Sequence, residues 1–331
     1  MIDPELVPSV RLASGAEVPA VGLGTFGSDH VSHDQVAAAV ERAVHLGYRH
    51  LDCASVYGNE DRIGAALGRL TANGISRDDL WISSKVWNDA HHDVASSCER
   101  TLQDLGLDHL DVYLVHWPFP NHHPPHADVG SRSADARPHE PARFRDTWAQ
   151  MESLVQRGLV RHIGTSNMTI PKLEALLATV EIAPAVNQME LHPHFQQPEL
   201  VAYLDAHGIR PIGFCPLGSP ARPERDTTPD DTAPLADPVI GAIASTHGVH
   251  PAAICLRWAV QRGQIPLPFS TDPAHQLDNL RAVTELRLSD EEMGRLADVD
   301  RSCRLIKGQV FCWRDDQPWQ ELWDPDGVIA T

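Results

Sequence analysis

The chain repeats one pattern eight times: a short apolar segment typical of a buried strand precedes a longer segment with apolar residues every three or four positions. Alternating strands and helices predict a parallel sheet, because each helix returns the chain to the same end of the sheet. Eight units are the number that closes a (β/α)8 TIM barrel of the α/β class. The predicted strands are residues 21–26, 49–53, 80–85, 110–115, 162–166, 185–189, 210–214 and 265–268.

Each predicted strand is followed by a helix, and two further elements lie outside the repeated unit. Residues 10–12 and 17–18, joined by a turn at Ser14 and Gly15, predict an N-terminal β-hairpin. Ser289 and Glu292 form a capping box, which predicts one more helix after the last unit. No segment has the composition of a linker, so we expect one domain over residues 1–331. The predicted helices are residues 32–46, 59–70, 94–105, 145–157, 170–179, 198–207, 250–261 and 273–283.

Two connections and the C-terminal tail are expected to cover one face of the barrel. Residues 119–144 and 219–237 follow strands and are too long for simple barrel turns. Ligands bind at the carboxyl ends of barrel strands, so these long catalytic-face loops are expected to wall the site. We expect the tail to fold over the pocket mouth, with packing on the side of the barrel as the alternative. Its aromatic residues are Phe311, Trp313, Trp319 and Trp323.

Charge and cysteine usage limit the partners and the compartment. The formal net charge of −18 argues against nucleic acid and anionic membranes, because phosphate surfaces require patches of Lys and Arg. No apolar run is long enough to span a bilayer, and the first ten residues lack the basic-then-apolar layout of a signal peptide. Six cysteines without a CxxC motif indicate reduced thiols. We expect a cytoplasmic protein, whose oligomeric state these features leave open.

Polar residues follow three successive predicted strands at the ends where ligands bind. Asp52 lies near the end of its strand and Tyr57 in the turn that follows, Lys85 ends the next strand, and His116 follows the third. A carbonyl that accepts hydride develops negative charge on oxygen, and a proton delivered there lowers the barrier. Tyr57 is the predicted proton donor. We expect Lys85 to lower its pKa from about 10, Asp52 to hold the ammonium, and His116 to orient the carbonyl.

Each of these residues has a structural explanation when it is considered alone. A tyrosine after a strand is more often a packing residue, and an Asp–Lys pair is more often a structural ion pair. A single histidine is more often a satisfied core residue. All four lie on neighbouring strand ends, however, and this joint placement favours catalysis.

Five segments in this order resemble the aldo-keto reductase family, in particular its aldose and aldehyde reductases. They are LDCASVYGNE from Leu51, SSKVW around Lys85, LVHWP around His116, GTSN from Gly164 and NQMELHP from Asn187. The resemblance covers nearly all of the chain. It implies an NAD(P)H-dependent oxidoreductase with tyrosine as the acid, lysine and aspartate tuning it, and histidine orienting the carbonyl. The expected residue fills all four of these positions.

The cofactor is expected to lie across the carboxyl face of the barrel. The segment GLGTFG from Gly22 lacks the spacing of a Rossmann fingerprint, which excludes a doubly wound crevice. The resemblance implies that Ser166, Asn167 and Gln188 bind the carboxamide. Phe214 replaces a tyrosine that stacks on the nicotinamide, and Cys215 replaces a serine. The other expected cofactor-binding residues are Thr25, Leu217, Ser219, Phe269, Ser270, Thr271, His275, Asp278 and Asn279.

Departures from the family pattern predict that NAD(H) is favoured over NADP(H). Phe269 and His275 stand where NADPH-preferring members have a lysine and an arginine for the 2′-phosphate, so both fixed cations are missing. Ala221 stands where many members have an aspartate that pairs with that lysine, and Asp278 is placed to accept from ribose hydroxyls. NADP(H) remains the alternative if another cation substitutes. The candidates are Arg222, Arg225 and Arg281.

The substrate is expected to be a small carbonyl compound or alcohol in an aromatic pocket formed by Phe26, Trp87 and Trp117 beside His116. The main prediction is reduction of an aldehyde, ketone or open-chain sugar. The alternatives are an NAD+-dependent sugar or polyol dehydrogenase on the same site, and a non-catalytic redox-sensing subunit. A metal-dependent hydrolase is remote. No metal is expected, because the loop histidines lack a cysteine or carboxylate partner; they are His122, His123 and His126.

Overall fold

The computed structural model describes residues 1–27, 30–120, 135–220, 222 and 227–331. Within these residues it contains ten β-strands and ten α-helices. The strands are β1 (Ser9–Arg11), β2 (Glu17–Pro19), β3 (Leu23–Gly24), β4 (His50–Asp52), β5 (Trp81–Val86), β6 (Leu110–Val115), β7 (Val160–Ser166), β8 (Val186–Glu190), β9 (Arg210–Phe214) and β10 (Ile265–Pro266). The helices are α1 (His33–Leu46), α2 (Glu60–Ala72), α3 (Val94–Leu105), α4 (Pro141–Gln156), α5 (Ile170–Leu177), α6 (Pro198–Ala206), α7 (Pro238–His247), α8 (Pro251–Gln261), α9 (Pro273–Thr284) and α10 (Asp290–Ala297).

Strands β3 to β10 form one parallel eight-stranded sheet in chain order. Two backbone hydrogen bonds join its first and last strands: Gly22 donates to the Pro266 carbonyl and Gly24 to the Pro268 carbonyl, each at 3.1 Å. The sheet is therefore closed, and the predicted (β/α)8 barrel is confirmed. The helices cover it as the sequence pattern predicted; in α1 the buried residues include Val36, Val40 and Ala43.

The N-terminal hairpin closes the amino end of the barrel. Strands β1 and β2 pair antiparallel with Ser9 opposite Pro19, which confirms the predicted hairpin. Leu12 and Val18 are buried in the same apolar cluster as Val112, a strand residue, and Leu267. Because this end is filled with apolar side chains, a ligand has access to the barrel axis only from the carboxyl end.

The C-terminal tail covers that carboxyl end. The ring of Phe311 lies 4.5 Å from the ring of Trp117 and 6.0 Å from that of Trp87. Trp323 contacts Trp117 from the other side, at 5.7 Å between ring centroids. The predicted position of the tail over the pocket is therefore confirmed.

One helix was not predicted, and several elements differ from their predicted extents; strand β3, for example, has two residues where residues 21–26 were predicted. Helix α7 was not predicted: its residues belong to no strand–helix unit, and it follows a loop rich in Pro and Asp. Asp237 caps α7 by accepting from the backbone of Val239 at 2.8 Å, and Pro238 occupies the first turn, where its missing N–H costs nothing. Helix α4 likewise begins at Pro141, four residues earlier than predicted. Strand β10 is only two residues long, since prolines limit its ladder.

Helices α7 and α8 meet at 95° and pack together through Ile240, Ile243, Ile254 and Trp258. This bent pair has the length and composition of a membrane span, and its four packed residues named above are buried in the protein. No single helix in the described part of the chain is long and apolar enough to cross a membrane.

Candidate active site

The four predicted catalytic residues meet at the carboxyl end of the barrel. Asp52 ends β4, Lys85 lies in β5, His116 follows β6, and Tyr57 ends a short 3-10 turn after β4. Parallel pairing brings these strand ends side by side: Asp52 pairs with Ser83 of β5, and Lys85 with Leu114 of β6. The site therefore follows directly from the strand order.

Asp52 and Lys85 form a buried ion pair. The Lys85 ammonium lies 2.7 Å from Asp52 Oδ2, and the two side chains are 0% and 5% exposed. The second carboxylate oxygen of Asp52 accepts from the Ser83 hydroxyl at 2.7 Å and from the Gln188 amide at 2.9 Å. Both carboxylate oxygens are thus hydrogen-bonded, which is what a buried carboxylate requires.

The Lys85 ammonium is hydrogen-bonded and lies beside the Tyr57 ring. It donates to Asp52 and to the Cys53 carbonyl at 2.8 Å, and it lies 5.2 Å from the centroid of the Tyr57 ring. Burial alone would lower the pKa of Lys85, but the charges of Asp52 and Tyr57 and the hydrogen bond to Asp52 together outweigh burial and raise it. The lysine is therefore a permanent cation at neutral pH, next to the phenol.

The turn that carries Tyr57 is tied to both neighbouring strands. Ser55 donates its hydroxyl to the Lys85 carbonyl at 3.1 Å, and Asn59 donates its amide to the Thr25 carbonyl at 2.9 Å. Gly58 ends the turn with φ of 65°, a conformation that glycine adopts without strain. These contacts hold the phenol next to the ammonium.

The predicted lowering of the Tyr57 pKa is wrong in its net effect. Loss of solvent raises the pKa of Tyr57 and the opposing charge of Lys85 only partly offsets this, so the net pKa rises from 10.0 to about 12. Tyr57 is therefore a neutral hydroxyl at physiological pH. An alkoxide is still a far stronger base than a phenolate, so such a phenol remains able to protonate it.

His116 also packs next to the phenol. Its ring is 5.8 Å from that of Tyr57 in an edge-on arrangement. Burial and the nearby charge of Lys85 hold the pKa of His116 well below 6.5. The imidazole is thus neutral and has one N–H to donate. Its Nδ1 atom is buried without a hydrogen-bond partner.

Acidification is expected to destabilise the protein through buried neutral histidines. Burial lowers the pKa of His50 and His139 to about 4 and of His91 to about 3. With His116, these groups bind protons in the unfolded chain at a pH where the folded chain does not. The free energy of unfolding should therefore fall below pH 6.5, approaching about 1.4 kcal/mol per pH unit for each histidine that stays neutral. Urea denaturation at pH 7 and pH 5 measures this; identical midpoints would contradict it.

The predicted substrate residues surround the phenol and the imidazole. Phe26 is 45% exposed, and its ring lies 5.1 Å from that of Tyr57, at the mouth of the site. Trp87 stands edge-on to His116, also at 5.1 Å. Trp117 is 6% exposed and packs beneath the tail on Phe311, so it supports the wall more than it faces the mouth.

The three residues expected to bind the carboxamide lie together at the ends of β7 and β8. The Ser166 hydroxyl donates to the Gln188 carbonyl at 2.9 Å, and Asn167 donates to the His116 carbonyl at 3.0 Å. The Asn167 side-chain oxygen is buried without a partner. A buried acceptor with no donor fits an incoming amide N–H, so these residues fit a nicotinamide.

The next group of expected cofactor residues borders the end of β9. Phe214 is half-buried there, and Cys215 and Ser219 adopt positive φ angles of 51° and 40°. Leu217 packs on the core. Thr25, in contrast, uses its hydroxyl to bind the Asp52 carbonyl at 2.8 Å, so in this structure it joins the ends of β3 and β4.

The last group forms the start of α9. Phe269 packs on the core, and the Ser270 hydroxyl accepts from the backbone of Asp272 at 3.1 Å. His275 and Asp278 are exposed. The Thr271 carbonyl accepts from the Arg42 guanidinium at 2.9 Å, and the Asn279 side chain is buried.

Two of the arginines considered as substitutes for the missing cations bind carboxylates. Arg281 lies 3.4 Å from Asp278, and Arg222 lies 2.5 Å from Asp231. Ala221, Arg225 and the loop histidines His122, His123 and His126 lie outside the described residues. Within the described ranges, no group of three or more His, Cys, Asp or Glu side chains is arranged to hold a metal.

Sequence reasoning missed three polar residues that support the site: Ser55, Asn59 and Ser83. Ser83 lies in β5, where all six residues are buried, so its hydroxyl needs a partner inside the protein. That requirement was a usable signal. Ser55 and Asn59 flank Tyr57, but nothing in their spacing reveals which carbonyl each one binds.

Comparison with known proteins agrees with the fold and identifies the family. The model of the aldo/keto reductase family matches residues 20–301. An aldo/keto reductase of Synechocystis sp. is 44% identical over 320 residues, 95% of each chain. Aldo-keto reductase family 1 member A1 of Mus musculus is 40% identical over 307 residues, 90% of this chain and 91% of the mouse protein. A crystal structure of a Bombyx mori aldo-keto reductase in complex with NADP is 30% identical with a TM-score of 0.80, covering 92% of this chain and 96% of that one.

Fold and site together define a (β/α)8-barrel oxidoreductase that uses a nicotinamide cofactor. The chain belongs to the aldo-keto reductase family. The resemblance drawn from the five sequence segments is thereby confirmed.

Proposed function

We propose that the protein reduces uncharged aldehydes, ketones or open-chain sugars with NADH favoured over NADPH, and that Tyr57 donates the proton. One observation carries the proposal. The Tyr57 ring lies 5.2 Å from an ammonium whose charge is fixed by a buried carboxylate, beneath an aromatic pocket. This arrangement supplies a proton where negative charge develops on a carbonyl oxygen.

The bound nicotinamide supplies the hydride. The N–H of neutral His116 and the hydroxyl of Tyr57 both donate to the carbonyl oxygen and orient it. As charge grows on that oxygen, Tyr57 transfers its proton, and Lys85 stabilises the phenolate that remains. Asp52 keeps Lys85 charged and in place. Phe26 and Trp87 exclude water and contact the apolar part of the substrate.

The segment before and at the start of α9 supports the preference for NADH. Phe269 and His275 supply no fixed positive charge. Asp272 caps α9 by accepting from the Ala274 backbone at 2.8 Å, and Pro273 has no N–H to offer. The start of this helix thus already carries a carboxylate, which repels a second negative group such as a 2′-phosphate. Arg281 and Arg222, as ion-pair partners of aspartates, are poorly placed to offset it.

Steady-state kinetics with the two cofactors test this preference. We expect kcat/KM to be at least about tenfold higher with NADH than with NADPH. Replacing both Phe269 with Lys and His275 with Arg should improve use of NADPH by about 10- to 100-fold, because each restores a charge-assisted hydrogen bond. Gly294→Arg, which adds an exposed charge on α10 with no atoms crowding the site of its Cβ, is the control. A parent enzyme that prefers NADPH would refute the proposal.

Initial rates measured with NAD+ and an alcohol test the alternative, in which the enzyme works as a dehydrogenase.

Cys53, Cys98 and Cys255 are buried thiols whose pKa values burial raises, which suits a reducing compartment. We therefore infer that the enzyme works in the cytoplasm.

A further inference from the structure

The chain has only three lysines among its 27 lysine and arginine residues. Each lysine forms an ion pair with an aspartate: Lys85 with Asp52, Lys172 with Asp324, and Lys307 with Asp231. The three lysine side chains are 0%, 1% and 11% exposed, respectively. Exposed positive charge on this protein is therefore carried by arginine, and lysine occurs only where it is buried and paired. The first pair belongs to the active site, and the other two have no role in the chemistry.

Lys307 belongs to a cluster of charged side chains around Asp231 that is largely shielded from solvent. One oxygen of Asp231 accepts from the Lys307 ammonium at 2.7 Å and from the Thr228 hydroxyl at 2.8 Å. The other accepts from Arg222 at 2.5 Å and from the Thr228 backbone at 2.8 Å. Burial alone would raise the pKa of Asp231, but these hydrogen bonds and charges lower it to about 2. The cluster is thus charged at every physiological pH.

This cluster joins the two parts of the chain that border cofactor and substrate. Arg222 donates to the carbonyls of Gly218 and Ser219, at 3.3 and 3.2 Å, next to the expected cofactor site after β9. Lys307 belongs instead to the C-terminal tail. A Cβ atom on its neighbour Gly308 would lie 3.1 Å from the Trp117 ring, so the tail packs directly on the pocket wall at this point.

The third pair anchors the same tail at its other end, to the barrel. Asp324 contacts Lys172 of α5 and the Thr169 hydroxyl, and Lys172 also donates to the Leu322 carbonyl at 3.0 Å. The tail segment that carries Phe311 therefore runs between two ion pairs, one fully buried and one largely shielded from solvent. The Lys307–Asp231 pair connects the tail to the segment after β9, whereas the Lys172–Asp324 pair connects it only to α5.

We propose that Lys307 and Asp231 are positioning residues that couple the cofactor-binding segment at Gly218–Ser219 to the aromatic wall of the substrate pocket. The inference rests on the proposed binding of a nicotinamide cofactor beside Ser219. Displacing either segment alone separates a buried ammonium from its carboxylate, which is costly. The two segments therefore keep their positions together, and a change at Lys307 on the tail reaches the cofactor.

The test compares two tail variants in the full-length enzyme. Lys307→Met should raise the Kd for NADH by about tenfold and also raise the KM for benzaldehyde. Lys307→Arg, which keeps the positive charge, should leave both values close to those of the parent. Asp324→Asn loosens the tail from α5 only; it should raise the KM for benzaldehyde and leave the Kd for NADH within about twofold. Fluorescence titration gives Kd, and initial rates give KM and kcat separately.

An unchanged Kd for NADH in Lys307→Met would overturn the coupling, and so would an equal loss of NADH affinity in Asp324→Asn. A parent enzyme that binds neither NADH nor NADPH would overturn the proposed function as well. If a variant fails to fold, an NMR experiment on the parent enzyme still tests the coupling. Lysine labelled with ¹³C at Cε gives one NMR signal for each of the three lysines. Adding NADH should shift the Lys307 signal and leave the Lys172 signal in place; the opposite pattern contradicts the coupling.

Discussion

Replacing Tyr57 with phenylalanine is expected to lower kcat for carbonyl reduction by about 10²- to 10⁴-fold, the usual worth of a positioned general acid. Only the hydroxyl is removed, and the ring keeps its packing against Phe26 and His116. The Kd for NADH should change little, because the expected carboxamide contacts belong to Ser166 and Asn167. The loss should therefore appear in kcat.

The physical reason is that no other group replaces the Tyr57 proton. His116 is neutral, and its pKa is held well below 6.5, so its remaining N–H is a poor acid. Lys85 has its pKa raised by Asp52 and holds its protons more tightly than a free lysine. Without the phenol, the developing alkoxide has hydrogen-bond donors but no competent acid.

Tyr203→Phe is the matched control, since it removes the same hydroxyl from a tyrosine on α6, outside the site. Initial rates with NADH and benzaldehyde, together with fluorescence titration of NADH, separate chemistry from binding. A Tyr57→Phe enzyme that keeps the parent kcat would remove Tyr57 from the mechanism.

Lys85→Met is expected to act on both stability and catalysis. The substitution leaves the Asp52 carboxylate buried without its cation, which typically destabilises a protein by about 3–5 kcal/mol. Catalysis loses the positive charge that stabilises the Tyr57 phenolate, so kcat should fall by about 10²-fold or more. Urea denaturation and initial rates measure the two effects.

Lys172→Met separates the two consequences. It makes the same substitution in another buried Lys–Asp pair, in which the lysine side chain is 1% exposed. We expect a comparable loss of stability with kcat retained, because this lysine touches no reacting group. Equal losses of kcat in Lys85→Met and Lys172→Met would show that the effect on rate is only a consequence of instability.

The barrel and the positions of the four proposed catalytic residues were predictable because both depend on local pattern and strand order. Alternating strands and helices determine that strand ends share one edge, and the order of the strands places Asp52 beside Lys85. The contact between Asp52 and Gln188 spans 136 residues, and no local pattern reveals it. Helix α7 was missed for another reason, since its cap and its Pro238 also suit a loop.

The protonation of Tyr57 was beyond sequence reasoning because it depends on a balance of opposing effects. Its spacing from Lys85 indicates the sign of one effect, the attraction of the phenolate by the ammonium. Loss of solvent acts in the other direction and depends on packing by Phe26 and His116, which come from distant parts of the chain. The ion pair that anchors the tail could not be predicted from the sequence either, since Asp231 and Lys307 lie 76 residues apart.

Transfer of deuterium to benzaldehyde from NADH that carries deuterium at both C4 positions of the nicotinamide, in a single turnover, measures hydride delivery and the role of Tyr57 together. The parent enzyme should produce benzyl alcohol with one deuterium on the carbinol carbon, and Tyr57→Phe, loaded with the same cofactor, should produce almost none in the same time. Alcohol without deuterium from the parent, or equal deuterium transfer by both enzymes, would contradict carbonyl reduction with Tyr57 as the proton donor.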